Sequence, residues 1–102
     1  MLKASLVKIP GIVYAFFAGS ANDFADPGKG IQIIVVGGPD LEEMEEVISG
    51  VEKQLGRTIR ISSFTVNEFR DRIRAKDGWV SSLIHKDKLV LIGNEDFIKQ
   101  CV

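Results

Sequence analysis

One histidine, His85, and one cysteine, Cys101, stand in the chain, and that scarcity narrows the available chemistry. A Ser-His-Asp triad or a His/Cys metal centre would hang on a single imidazole. A lone thiol forms no internal disulfide and no four-cysteine zinc site. His85 reads as a surface residue after a helix, and Cys101 as a free thiol without a role. The charged side chains remain. Asp23 and Asp26 read as solvated loop acids, because loop carboxylates lack the fixed geometry that a strand or helix provides. Arg57, Arg60, Arg70, Arg72, Arg74 and Lys76 concentrate positive charge in mid-chain, with Glu68, Asp71 and Asp77 interleaved. That is the pattern of a solvated helix face with internal pairs rather than of a nucleic-acid groove. No aromatic platform for stacking bases is evident beside it. The glycines at 28, 30, 37 and 38 make no dinucleotide-binding fingerprint and read as turns. Trp79 reads as a core or interface anchor. With Val80, Leu83 and Ile84 it also offers a candidate apolar surface for a partner or a second copy.

The elements that must position these residues follow from apolar periodicity. Gly11–Ala18 is a nearly continuous apolar run ending in Gly19-Ser20, a buried strand. A polar, small-residue stretch with Pro27-Gly28 follows, then a β-branched run, Ile31–Val36, closed by Gly37-Gly38-Pro39 and predicted as a central strand. Asp40 opens a helix: Leu41, Met44, Val47, Ile48, Val51 and Leu55 recur at helical spacing, and Gly56 stops it. Thr58–Phe64 alternates Ile59 and Ile61 with Arg60 and Ser62, a strand with one more polar face. Thr65-Val66-Asn67-Glu68 has the spacing of a capping box and starts a helix with Phe69 and Ile73 on its apolar side. A short helix around Trp79–Ile84, a strand over Leu89–Ile92 and a terminal helix capped by Asn94 complete the order. The chain is predicted to be α/β or α+β, a mixed sheet packed with helices.

At 102 residues the chain is expected to form a single domain over 1–102, and it can bury roughly 65% of its unfolded surface. With 45% hydrophobic and 26% charged residues it has the balance of a globular protein rather than a disordered one. A net charge of −1 argues against non-specific coating of nucleic acid or anionic membrane, so no membrane and no independent nucleic-acid partner is expected. No apolar run approaches the roughly 20 residues needed to cross a bilayer. Lys3 and Lys8 before the apolar run Ile12–Ala18, with Gly19, Ser20 and Ala21 after it, imitate a secretion signal. Pro10 and Gly11 interrupt that pattern, and cleavage would remove a strand from a small core. A cytoplasmic location is expected.

One constellation carries a resemblance. Gly19-Ser20 at the end of one strand, a loop of about ten residues, and a strand reading Ile31-Gln32-Ile33-Ile34-Val35-Val36-Gly37 are similar to the minimal nucleotidyltransferases of the polymerase-beta-like superfamily. The likeness continues through Asp40-Leu41-Glu42-Glu43, Leu55-Gly56-Arg57, Thr65–Phe69 and Leu89–Glu95, covering Val13 to Phe97. It looks closest to the version joined to winged-helix transcription regulators, although these residues contain no such domain. The resemblance implies a nucleotidyltransferase-like mixed sheet of about four strands. In that family an Asp-x-Asp pair begins the second strand. Residues i and i+2 point the same way, so the two carboxylates hold divalent metals that bridge a triphosphate and activate the attacking hydroxyl. A third carboxylate often comes from the neighbouring strand. The Gly-Ser pair lets backbone amides and a hydroxyl approach the phosphates.

Aligned through Ile33–Gly37, the two aspartate positions fall on Gly30 and Gln32, and the neighbouring strand offers Arg60 and Ser62 instead of an acid. Magnesium asks for carboxylate or phosphate oxygens. The resemblance therefore implies a degenerate nucleotidyltransferase-like domain with no catalytic residue, no metal ligand and no required cofactor, acting in a regulatory role by binding protein or nucleotide. Gly19, Ser20 and Arg60 are the candidate nucleotide-binding residues. Gly19-Ser20 reads equally well as a tight turn inherited with the fold. The alternative is an active enzyme that uses Mg2+ to move a nucleotide from an NTP to a protein or small molecule, with Asp23 or Asp26 in a rearranged metal site. A separate protein partner or a homo-oligomer is expected in either case.

Overall fold

The computed structural model describes residues 2–19, 25–26, 30–85, 88–94 and 96–101. β1 (Ile12–Ala18) is buried from Tyr14 to Phe17 on both of its faces, because helices cover both sides of the sheet. It pairs antiparallel with β2 (Ile31–Gly37), Phe17 opposite Ile33, and antiparallel with β4 (Lys88–Ile92), Ala18 opposite Lys88. β3 (Ile59–Phe64) lies parallel to β2, from Ile31 opposite Ile59 to Val36 opposite Phe64. The strand order is β3-β2-β1-β4, a mixed four-stranded sheet.

A parallel pair needs a crossover, and α2 (Leu41–Leu55) supplies it between β2 and β3. The Asp40 carboxylate accepts from the Glu42 and Glu43 amides at 2.9 and 3.2 Å, so the capping read from sequence is present. At the other end Gly56 takes φ 65°, a left-handed turn that costs a glycine least, and its N–H donates to the Glu52 carbonyl at 2.8 Å. Met44, Ile48 and Val51 bury the inner face of α2. The capping box of α3 (Val66–Arg74) also forms: Thr65 N–H donates to the Glu68 carboxylate at 2.9 Å, and Glu68 N–H to the Thr65 hydroxyl at 3.0 Å. Asp77 accepts from the Trp79 and Val80 amides at 3.0 Å each and so starts α4 (Gly78–His85). Asn94 does the same for α5 (Asp96–Cys101) through the Asp96 amide at 3.0 Å.

Strand alternation divides the core into two layers. Ala15, Phe17, Ile31, Ile33 and Val35 pack with Met44, Ile48 and Val51 of α2 on one face. Tyr14, Phe16, Ile34, Val36 and Phe64 pack with Phe69 and Ile73 of α3 and with Val80 and Leu83 of α4 on the other.

Two details differ from the sequence reading and one agrees with it. The first is α1 (Leu2–Val7), a six-residue helix to which no element was assigned. It is too short to display a helical period, yet it and the turn that follows deliver Leu6 and Ile9 to the core at 0% and 3% exposure. Second, and as expected, the segment that imitates a signal peptide is β1, an internal strand of the sheet. Third, Val80 and Leu83 are core residues, so of the candidate apolar surface only Trp79 is exposed among its large hydrophobics, its ring 5.9 Å from Phe64. Among the described residues no helix is long and apolar enough to cross a membrane.

Candidate functional site

Gln32 and Arg60 are direct register partners across the parallel β2–β3 pair. Residues two apart share a face, so Gln32 stands on the side of Ile34 and Val36, and Arg60 on the side of Ser62 and Phe64. That is the side covered by α3 and α4. The helices cover Val36 and Phe64 but stop short of the other end of the sheet, where Gln32 is half-buried and Arg60 exposed. The result is an open cavity of about 470 Å³ lined by Gly30, Ile31, Gln32, Thr58 and Arg60. Its size falls in the usual range of small-molecule sites, about 300–1,000 Å³.

The walls of this cavity are set by backbone. Ile31 N–H donates to the Thr58 carbonyl at 3.0 Å, locking the start of β2 to the residue before β3. Because β1 runs antiparallel to β2, the end of β1 comes to the start of β2, and Gly19 lies at the same end of the sheet as Gly30. Gly19 leaves β1 at φ 150°, a conformation that side chains with a Cβ rarely adopt. The glycine is thus required by the turn whether or not a phosphate approaches it. Ser20 and Asp23 lie outside the described residues. Asp26 is exposed and does not line the cavity.

The structure therefore brings Gly30, Gln32 and Arg60 into one cleft, with Gly19 at its end of the sheet. Thr58 is the lining residue that sequence reading passed over. Its signal was the i, i+2 spacing to Arg60, which puts both side chains on one side of the strand. Lys88 is a second addition: it pairs with Ala18 on the same sheet face, two strands and about 10 Å from Gln32. Its amine donates to the Ile84 carbonyl at 2.9 Å, at the negative end of α4. The positive charge of mid-chain is largely dispersed elsewhere. Arg72 lies 3.6 Å from Asp77 and 5.1 Å over the Phe64 ring, and Arg70 donates to Asn67 at 2.7 Å.

The donor set decides which ligand chemistry fits. A divalent cation of the kind the sequence resemblance implies needs several anionic oxygens. Here the described lining offers one neutral amide, one hydroxyl, backbone and a guanidinium. A guanidinium beside the would-be ligand opposes a second cation, so these residues do not fit a divalent metal. Among the described residues no group of three or more His, Cys, Asp or Glu is placed so that it could hold a metal ion. The same set does fit an anion: guanidinium, amide N–H and hydroxyl are all donors, and a planar guanidinium matches phosphate oxygens in pairs.

No family model matches the chain, and no curated protein matches it by sequence. Among solved structures it is similar to a chain in the crystal structure of a mutant of the MntA–HpeT toxin–antitoxin, with a TM-score of 0.60 and 13% identity. That match covers 98% of this chain and 75% of the other. At that identity the likeness speaks for fold. The mixed four-stranded sheet packed with helices is accordingly a nucleotidyltransferase-like fold, as the strand–loop–strand constellation implied.

Proposed function

We propose that this chain is a nucleotidyltransferase-like domain without the metal-dependent transfer step, which acts in a regulatory role by binding. Its cleft takes a phosphate-bearing ligand of the nucleotide class through fixed donors rather than through a metal. The observation that carries this reading is the register pairing of Gln32 with Arg60, beside Gly30, in one cleft, at the positions where the sequence resemblance puts the family's carboxylates. An amide and a guanidinium there replace negative charge with donors and a positive charge. Losing carboxylate ligands forfeits the charge stabilisation of the transferring phosphates, about tenfold in rate for each 1.36 kcal/mol. A similar chain that comes from a toxin–antitoxin pair supports a protein partner for this domain as well.

Calorimetric titration with ATP and GTP, with and without magnesium, tests the reading. Binding that does not need magnesium and is lost in Arg60→Ala is the expected result. Magnesium-dependent binding with release of pyrophosphate would overturn it in favour of an active transferase.

A further inference from the structure

On the other face of the sheet lies a second cavity, about 440 Å³, between α2 and β3. Leu41, Met44 and Ile48 form its helix side and Ile59, Ile61 and Ser63 its strand side. A smaller cavity of about 280 Å³ shares Leu41 and Ser63 with it and continues to Phe64 and Thr65. Together they make one groove along the length of β3.

β3 is an end strand of the sheet. Its pairing with β2 starts from the bond between Ile31 N–H and the Thr58 carbonyl, so residues 58, 60, 62 and 64 turn their backbone groups toward β2. Those of Ile59, Ile61 and Ser63 turn outward. The Ile59 N–H is already taken, donating to the Glu52 carboxylate at 2.8 Å. Ile61 and Ser63 present their N–H and C=O groups to the groove, in the plane where another strand would pair. A helix satisfies its own backbone and cannot use these groups; an extended chain can.

Charge selects the occupant. α2 carries Glu42, Glu43, Glu45, Glu46 and Glu52 against a single Lys53. Glu45 and Glu52 line the groove, seven residues and so about 10 Å apart along the helix. A second copy of this chain pairing through β3 about a two-fold axis would bring α2 beside α2 on one face, acid against acid. We infer that the α2–β3 groove binds an extended strand of a partner protein, with apolar residues at alternate positions and lysine or arginine facing α2. Such a strand pairs with Ile61 and Ser63, fills the apolar floor and meets Glu45 and Glu52 at the rim.

The test uses the isotope-labelled chain and two synthetic peptides of about six residues, the length of β3, one alternating valine with lysine and the other valine with glutamate. The lysine peptide is expected to move the amide resonances of Ile61 and Ser63 and to slow their hydrogen exchange, while the glutamate peptide does neither. Ser63→Pro removes one outward N–H from an exposed edge position without breaking the β2 ladder, and is expected to weaken binding about tenfold. Glu45→Lys, on the exposed side of the helix, is expected to weaken it similarly and keeps the proposal testable if proline disturbs the strand. Equal binding of the two peptides, resonance changes confined to other elements, or full affinity in both variants would overturn the proposal. So would protection of the Ile61 and Ser63 amides that grows with protein concentration and no peptide present, which would assign the groove to a second copy.

Discussion

Among the described residues, a Cβ added to Gly30 would meet only the Thr58 carbonyl oxygen, at 3.8 Å, which is ordinary contact. Gly37 is the contrast: at φ 141° its Cβ would collide with the Gly11 carbonyl. Packing therefore dictates glycine at 37 and leaves position 30 open to a side chain. It follows that Gly30→Asp combined with Gln32→Asp should fold and should gain divalent-cation binding in calorimetry, more strongly when Arg60→Ser removes the opposing cation. A folded variant set that takes up no manganese would show that more of the site has changed than these positions. Gln32→Asp alone puts a carboxylate beside Arg60. It is expected to weaken binding of a free triphosphate about tenfold, read by the same titration, because the new negative charge engages the guanidinium and repels phosphate.

Among the elements, α3 has the most clearly titratable start. Hydrogen bonds from Thr65, first from its backbone and then from its side chain, hold the Glu68 carboxylate below its ordinary pKa. A lowered carboxylate pKa means that the stabilisation is fully present above the ordinary, unfolded value and is lost as pH falls through the lowered, folded value. Thr65→Ala removes the cap and is expected to cost about 1 kcal/mol at neutral pH in urea denaturation. In Glu68→Gln the stability lost on acidification should be smaller than in the native chain, which parallel denaturation curves would show. Helix boundaries at Asp40, Gly56, Thr65 and Asn94 were legible in the sequence because caps are local, a side chain bonding to amides two or three residues away. α1 was not, because a six-residue helix is held by what Leu6 packs against rather than by any pattern of its own.

At the scale of the whole molecule, one sheet is shared by two core layers, and the strands that build one layer also build the other. A radius of gyration of 13.2 Å is close to the roughly 13 Å expected of a single domain this long. The chain should therefore unfold in one transition, with Trp79 fluorescence and far-ultraviolet circular dichroism coinciding. Ile33→Ala, on the α2 face, should destabilise by about 2–5 kcal/mol and Phe69→Ala, on the α3 face, by about 3–5 kcal/mol. Both should shift the Trp79 transition, although only the second lies in its layer; separate transitions would mean that the layers unfold independently. The sequence by itself determined the strands and main helices, the mixed α+β class and the presence of two residues without carboxylates, Gly30 and Gln32, at the start of β2, since periodicity, caps and residue identity are properties of neighbours along the chain. Tertiary structure alone decided that Arg60 stands opposite Gln32, that Lys88 shares their side of the sheet, and that the backbone groups of Ile61 and Ser63 turn outward beside an acidic helix. Those relations depend on which strands pair, in which direction and in what register, and a shift of one residue would turn every one of these side chains to the other face.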